Sequence, residues 1–124
     1  MKKQIIKHCF VVCFFGWWIM TFQTIYPRDM EELIKKERAL VLDTRTREEY
    51  NRGHWPGASN YPYDLVERWE KTLPGNRLLI LYCEHGGSSM QLARRLGLEV
   101  YRVASVIGGY ESIIKNSKSN SMRP

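Results

Sequence analysis

Cysteine is scarce in this sequence, which contains three among 124 residues. Cys9 and Cys13 lie four residues apart in an apolar N-terminal stretch, where we expect them to pack as small hydrophobic side chains. No second pair of ligands follows at a spacing that suits zinc. The rest of the chain contains only Cys83, which has no cysteine partner there. This excludes a disulfide framework, and we expect no metal and no cofactor.

Excess positive charge is also scarce outside the N-terminus. The formal net charge is +6, but Lys2, Lys3 and Lys7 supply half of this surplus. No run of basic residues interleaved with aromatic ones is present, so the sequence predicts no nucleic-acid partner. A chain of this length has room for one domain with a modest core.

A cleavage site for signal peptidase is the third absence. Lysines followed by the apolar residues 9–22 are typical of a signal peptide or a signal anchor. As a helix, this block extended to Tyr26 would span about 27 Å, close to the roughly 30 Å hydrocarbon core of a membrane. No small-x-small pattern follows, so we favour an uncleaved anchor that contacts the membrane through residues 5–26. The lysines predict a domain outside the cytoplasm, periplasmic or at the cell surface.

Two alternatives stay open for the same stretch. A cleaved signal would leave the domain secreted. An ordinary buried first helix is disfavoured, because the stretch is apolar all round and contains the adjacent Trp17 and Trp18.

Beyond Tyr26, short apolar runs alternate with segments of helical pattern. Buried strands are predicted at 39–42, 78–82 and 100–106. Helices are predicted at 27–37, 46–52, 64–72, 89–96 and 108–115. Thr46 with Glu49, and Ser88 with Gln91, fit capping boxes. The predicted segments are an anchor or signal at 1–26, a domain at 27–115 and a disordered polar tail at 116–124.

This alternation predicts an α/β fold with a parallel sheet covered by helices on both faces. In such sheets, ligands bind at the carboxyl ends of the strands. Cys83 follows the 78–82 strand at such an end, before glycines and a helix start. The backbone N–H groups of residues 84–88 and the positive end of the helix would stabilise a thiolate and hold a sulfur atom or an oxyanion.

The loop Cys-Glu-His-Gly-Gly-Ser-Ser at 83–89 resembles the active-site loop of small single-domain rhodaneses. Residues 42–50 and 53–60 are similar to the family's Asp-x-Arg, Glu-Tyr and Gly-His-Ile-Pro-Gly-Ala-x-Asn patterns, and residues 107–110 to its Gly-Gly element. The resemblance implies a rhodanese-like fold with a central parallel five-stranded sheet and helices on both faces. It also implies sulfane-sulfur transfer through a Cys83 persulfide, from a small donor such as thiosulfate or a polysulfide to a thiol or an acceptor protein. We expect a monomer.

The resemblance also implies roles for single residues. Cys83 would be the catalytic nucleophile, and the substrate would be bound by Glu84, His85, Gly86, Gly87, Ser88 and Ser89. Asp43 and Arg45 are expected to form an ion pair that fixes the loop after their strand, and His54 to be a hydrogen-bonded structural residue.

Two positions depart from the family pattern. Trp55 replaces a usual aliphatic residue, which we interpret as a change in packing. Glu84 stands where thiosulfate-using members often carry a basic residue. An acid there would repel a dianion and tend to raise the pKa of the thiol, which argues against thiosulfate as the physiological donor but not against the persulfide chemistry.

Two other functions compete with sulfur transfer. A related cysteine phosphatase or arsenate reductase would need an arginine six residues after the cysteine to bind the oxyanion, and here Ser89 occupies that position. Tyr82 also replaces the histidine usual before the cysteine. The other alternative is a non-catalytic rhodanese-like module for protein binding or redox sensing, because fold alone does not give activity.

Overall fold

The computed structural model describes residues 8–14, 18–99 and 101–121. The strands in this part are β1 (His8–Phe14), β2 (Trp18–Ile25), β3 (Leu40–Asp43), β4 (Ser59–Asn60), β5 (Leu78–Tyr82) and β6 (Arg102–Val106). The α-helices are α1 (Pro27–Glu37), α2 (Arg47–Arg52), α3 (Val66–Trp69), α4 (Gly87–Leu98) and α5 (Gly109–Ser121). Two single 3-10 turns flank α3, at Tyr63–Leu65 and Glu70–Thr72.

The strands form one sheet in the order β1-β2-β6-β5-β3-β4. The five strands from β2 to β4 in this order run parallel, which confirms the predicted parallel five-stranded sheet. The described part adds β1, which is antiparallel to β2 at the edge. β5 lies inside the sheet between β6 and β3, and all five of its residues are buried.

The hydrophobic core lies on both faces of the sheet, because alternate residues of β5 point to opposite sides. Leu78, Ile80 and Tyr82 pack on one side with residues of α1 and α5, including Met30, Leu33 and Ile113. Leu79 and Leu81 pack on the other side with α3 and α4, through Trp69, Leu92 and Leu96. Helices therefore cover both faces, as predicted.

The N-terminal stretch differs most from the sequence-based prediction. Where we predict a membrane-spanning helix through residues 5–26, the structure has β1 and β2 as an antiparallel pair, with His8 opposite Thr24 and Phe14 opposite Trp18. The helix prediction is therefore wrong for both strands. Within the described ranges, no helix has the length and apolar character needed to cross a membrane. Residues 1–7 and 15–17 lie outside those ranges.

The last residues of β2 form a strand because they complete the sheet. Gln23, Thr24 and Ile25 pair with residues 104–106 of β6, and Phe22 and Ile25 are buried. Periodicity alone does not distinguish an apolar strand from a buried helix. Here the strand conformation is fixed by pairing with the edge of β6. The sheet thus begins before the boundary that we predict at residue 26.

The two capping boxes have different outcomes. Thr46 and Glu49 form the predicted box at the start of α2, because each side chain bonds the backbone N–H of the other residue. The box predicted for Ser88 and Gln91 is wrong, since α4 begins at Gly87 and its N-cap residue is Gly86, without a side-chain cap. Gly86 ends the loop early because it adopts a left-handed φ of 102° that favours glycine.

The C-terminal helix is longer than predicted. α5 continues to Ser121, so the prediction of a disordered tail is wrong for residues 116–121. Once the packing of residues such as Ile113 has nucleated a helix, adding polar residues costs little free energy. Asn116 and Ser117 also line a groove against α1. Residues 122–124 lie outside the described part of the chain.

Candidate active site

Cys83 directly follows β5, at the carboxyl end of the parallel sheet. It is 5% exposed, and its sulfur accepts hydrogen bonds from the backbone N–H of Gly86 at 3.0 Å and of Ser89 at 3.4 Å. The Sγ also lies 3.4 Å from the Oγ of Ser89. Two of these donors are backbone groups at the start of α4, where the first N–H groups of a helix have no intrahelical acceptor. The loop and the helix thus cradle the sulfur atom.

These hydrogen bonds favour the thiolate form of Cys83. Burial raises the pKa of the thiol, but hydrogen bonds from the side chains of Ser88 and Ser89 and from the N–H groups of Ser89 and Gly86 outweigh it and leave the pKa below its ordinary value. A thiolate is the nucleophilic form of cysteine. The net shift is therefore downward, although Glu84 adjoins the thiol in sequence.

The start of α5 holds the loop from behind. The N–H of Tyr110 donates to the carbonyl of Cys83 at 2.7 Å, and the N–H of Glu111 donates to that of Glu84 at 3.2 Å. This approach requires glycine at position 109, where φ is 64° and a Cβ would lie 2.5 Å from the Cys83 carbonyl oxygen. The Gly-Gly pair at 108–109 is visible in the sequence, but its contact with the cysteine loop is not.

A cleft of about 240 Å³ opens in front of the thiol. It brings together three predicted site residues, Cys83, Glu84 and Ser88, and the predicted support residue Arg45. Other lining residues were not predicted, because they come from distant segments that only the fold brings together: Thr44, Thr46, Glu49, Tyr63 and Asp64.

Arg45 forms the predicted ion pair with Asp43, with 2.7 Å between Nη2 and Oδ2. Both side chains are buried. The Nε of Arg45 also bonds Asp43, Nη2 donates to the Gly53 carbonyl at 2.6 Å, and Nη1 lies 3.4 Å from a carboxylate oxygen of Glu84. The guanidinium stacks over the ring of Tyr110 at 4.0 Å. All three guanidinium nitrogens are therefore engaged by the protein itself.

The two histidines among the predicted residues lie outside the cleft. His85 is exposed, and its Nδ1 is 2.8 Å from Glu111 Oε2, so it contacts α5 rather than the thiol. The His54 ring stacks on Tyr50 with centroids 3.8 Å apart, and its Nδ1 is 2.8 Å from the Tyr50 carbonyl oxygen. His54 thus makes the hydrogen bond expected of a structural residue. Gly87 opens α4 and is exposed.

One buried group near the thiol escaped the sequence-based prediction. The Oγ of Ser105, on β6, lies 2.8 Å from the Oγ of Ser89. A serine inside an apolar strand gives no signal of such a contact, because strand pairing alone places it beside the cysteine loop. Across the described ranges, no group of three or more histidine, cysteine or acidic residues is placed to hold a metal ion.

Comparison with known proteins agrees with this architecture. The family described as "Rhodanese-like domain" matches residues 26–116. The thiosulfate sulfurtransferase GlpE of Pseudomonas putida is 34% identical over 91 residues, which cover 73% of this chain and 83% of the relative. The GlpE of Actinobacillus succinogenes is 32% identical over 93 residues, covering 74% and 84%. The crystal structure of a rhodanese-related protein from Thermoplasma volcanium superimposes with a TM-score of 0.70 at 27% identity, covering 75% of this chain and 91% of that one.

Proposed function

The chain belongs to the rhodanese-like domain family, and from this premise we propose that it is a sulfurtransferase that carries sulfane sulfur as a persulfide on Cys83. The observation that carries the proposal is the cradle of hydrogen bonds around the Cys83 sulfur at the base of an open cleft. The same donors that stabilise a thiolate suit the negative charge of a persulfide.

The reaction has two displacement steps. The Cys83 thiolate attacks the sulfane sulfur of a donor, a new S–S bond forms, and the donor leaves with the electron pair of the bond that breaks. With thiosulfate, the leaving group would be sulfite. A thiophilic acceptor, such as cyanide or a thiolate, then attacks the outer sulfur, and the Cys83 thiolate is released unchanged.

The charges around the cleft favour donors other than thiosulfate. Glu49, Asp64 and Glu84 line it, and the one cation among its described lining residues, Arg45, is already bonded to Asp43 and Glu84. A dianion therefore meets carboxylates without a free guanidinium to bind it. We infer a preference for a donor with at most one negative charge, such as an alkanethiosulfonate or a persulfide. Small thiols and protein thiols are the acceptors to be tested.

The experiment is intact-mass spectrometry of the full-length protein after incubation with thiosulfate, mercaptopyruvate, a polysulfide or an alkanethiosulfonate, which carries a single negative charge. We expect the mass of one sulfur atom to be gained from at least one donor and lost again on addition of cyanide. Cys83→Ser is the control and should gain none. A wild type that gains no sulfur from any of these donors would support the alternative of a binding or redox-sensing module.

A phosphatase or arsenate reductase is not favoured by the site. Ser89 occupies the position of the oxyanion-binding arginine, and its buried hydroxyl contacts Ser105 rather than the cleft. Release of phosphate from an aryl phosphate, dependent on Cys83, would reverse this conclusion.

We also propose that the domain lies outside the cytoplasm and that the protein is a monomer. The location is inferred from the sequence alone, because lysines followed by an apolar stretch within the first 26 positions are typical of an export signal. A C-terminal fusion to a reporter enzyme that is active only outside the cytoplasm tests it, and an inactive fusion would contradict it. Light scattering of the purified protein tests the monomer.

A further inference from the structure

Two buried hydroxyls extend from the thiol of Cys83 into the core. The Ser89 Oγ lies 3.4 Å from the Cys83 sulfur and 2.8 Å from the Oγ of Ser105. Ser89 is fully buried, and Ser105 is 1% exposed. β6, which carries Ser105, supplies no residue to the lining of the cleft. Ser105 therefore hydrogen-bonds Ser89 and does not line the cleft in which a substrate would bind.

We propose that Ser105 is a positioning residue that orients the Ser89 hydroxyl toward the sulfur when Cys83 is a thiolate. This role deepens the proposed function, and only its effect on the rate of sulfur transfer rests on that function. Ionisation of the thiol can be measured without any sulfur donor.

The hydroxyl of Ser89 has more partners than protons. It has one proton to donate and two lone pairs, and it lies within bonding distance of three groups: the sulfur, the Ser105 hydroxyl and the Gly86 carbonyl at 3.3 Å. The Gly86 carbonyl only accepts, so it competes with a thiolate for the single proton of Ser89. A further group must decide which of the two receives it.

Ser105 can determine which group receives the Ser89 proton, because a hydroxyl can either accept or donate a hydrogen bond. When Cys83 is a thiol, its S–H donates to Ser89 Oγ, and the Ser89 proton is free to point to Ser105 or to Gly86. When Cys83 ionises, its proton leaves to solvent and the sulfur only accepts. Ser105 then donates to Ser89 Oγ while Ser89 donates to the sulfur. Each bond in such a chain polarises and strengthens the next. The O–H bonds rotate, and none of them breaks.

Thr24 provides a natural contrast. It pairs with Ser105 in the register of β2 and β6 and is 2% exposed, yet its hydroxyl has no hydrogen-bond partner in the described structure. Thr24→Val therefore removes a buried hydroxyl from the adjacent strand with little change of shape. It leaves the chain from Ser105 through Ser89 to Cys83 intact, which makes it a matched control.

The charged and titratable groups around the thiol belong to other segments. The cleft is lined by Arg45 after β3, Glu49 of α2, Tyr63 and Asp64 of the first 3-10 turn, and Glu84 of the loop. Asp43 and Tyr82 lie behind Arg45, and His85 pairs with Glu111 at the start of α5. The serine and threonine variants keep all of these groups, so a shift in thiol ionisation would report on the hydroxyl chain.

The test is the pH dependence of Cys83 alkylation in the full-length protein, measured on the peptide that contains Cys83. We expect Ser105→Ala to raise the midpoint by about half a pH unit or more, as for partial loss of one hydrogen bond to the thiolate. Ser105→Thr, which keeps the hydroxyl, and Thr24→Val should retain the wild-type midpoint. In a Ser89→Ala background, Ser105→Ala should add no further shift, because Ser105 acts through Ser89.

Three results with the alanine and valine variants would overturn the proposal. They are an unchanged midpoint in Ser105→Ala, an equal rise in Thr24→Val, and a full additional shift in the Ser89→Ala background. A raised midpoint in Ser105→Thr would also contradict it, so the test remains decisive if the alanine variant does not fold. Sulfur uptake by the wild type is measured separately. Failure of the proposal for Ser105 therefore does not affect the test of the proposed function.

Discussion

The two sides of the Cys83 thiol differ in chemistry. The inner side is buried and uncharged, and consists of the N–H groups of Gly86 and Ser89 with the hydroxyls of Ser89 and Ser105. The cleft side is open and carries the carboxylates of Glu49, Asp64 and Glu84. Hydrogen bonds from the inner side adjust the ionisation of the thiol, while charges on the cleft side act on the molecule that approaches it. Substitutions on each side should therefore affect different measurements.

Gly109→Ala should have the largest effect, because it displaces the loop that both sides share. A Cβ there would lie 2.5 Å from the Cys83 carbonyl oxygen, and φ is 64°. We expect a loss of about 2 kcal/mol or more in the free energy of unfolding, measured by urea denaturation. Gly75→Ala is the control, since its Cβ would meet nothing within 4 Å. Equal stability of the two variants would contradict the proposed role of the α5 contact.

Ser89→Ala should act on the inner side alone. The substitution removes the hydroxyl that lies 3.4 Å from the sulfur but keeps the backbone N–H. We expect the midpoint of Cys83 alkylation to rise by about one pH unit, while the ratio of rates with thiosulfate and with the singly charged alkanethiosulfonate stays at the wild-type value. A changed donor ratio with an unchanged midpoint would reverse the roles that we assign to the two sides.

Glu84→Gln should act on the cleft side. It removes one negative charge from the lining and leaves the hydroxyl chain intact. At separations of several ångströms in a solvated cleft, one charge changes the rate with a dianion by about fivefold and with a monoanion by about twofold, so the ratio of thiosulfate to alkanethiosulfonate rates should rise about twofold. Added salt should reduce the difference between variant and wild type. The exposed Glu32 of α1 gives the control Glu32→Gln, and an equal rise there would show that the cleft is not responsible.

Elements of the fold and of the site could be predicted from the sequence where the pattern that indicates them lies within a few neighbouring residues. β5, α1 and the Thr46 capping box follow from patterns within a few residues, and the structure has all three. The cysteine loop is also local, since a strand, glycines and a helix start adjoin it. The strand β2 and the contact between Ser89 and Ser105 depend instead on pairing between segments that are distant in the sequence. No short stretch of sequence encodes such pairing.

The smallest expected effect is on stability as a function of pH. The pKa of Cys83 is below its ordinary value in the folded protein, so the thiolate contributes stability that is fully present above the unfolded-state pKa and is lost as the pH falls through the folded-state pKa. The difference in unfolding free energy between wild type and Cys83→Ser should therefore rise with pH across this window. Urea denaturation at a series of pH values measures it, and a difference that falls with pH would contradict the direction of the shift.

The central claim is that Cys83 attacks the donor as a thiolate that its hydrogen bonds stabilise, and then carries the sulfur as a persulfide. Its most direct test is the rate of sulfur uptake from an alkanethiosulfonate as a function of pH, followed by intact mass on the full-length protein, because the single negative charge of this donor does not change across the pH range. The rate should rise with pH and level off below the ordinary pKa of a cysteine thiol, and Cys83→Ser should show no uptake. Absence of uptake at every pH, or uptake that persists in Cys83→Ser, would contradict the claim.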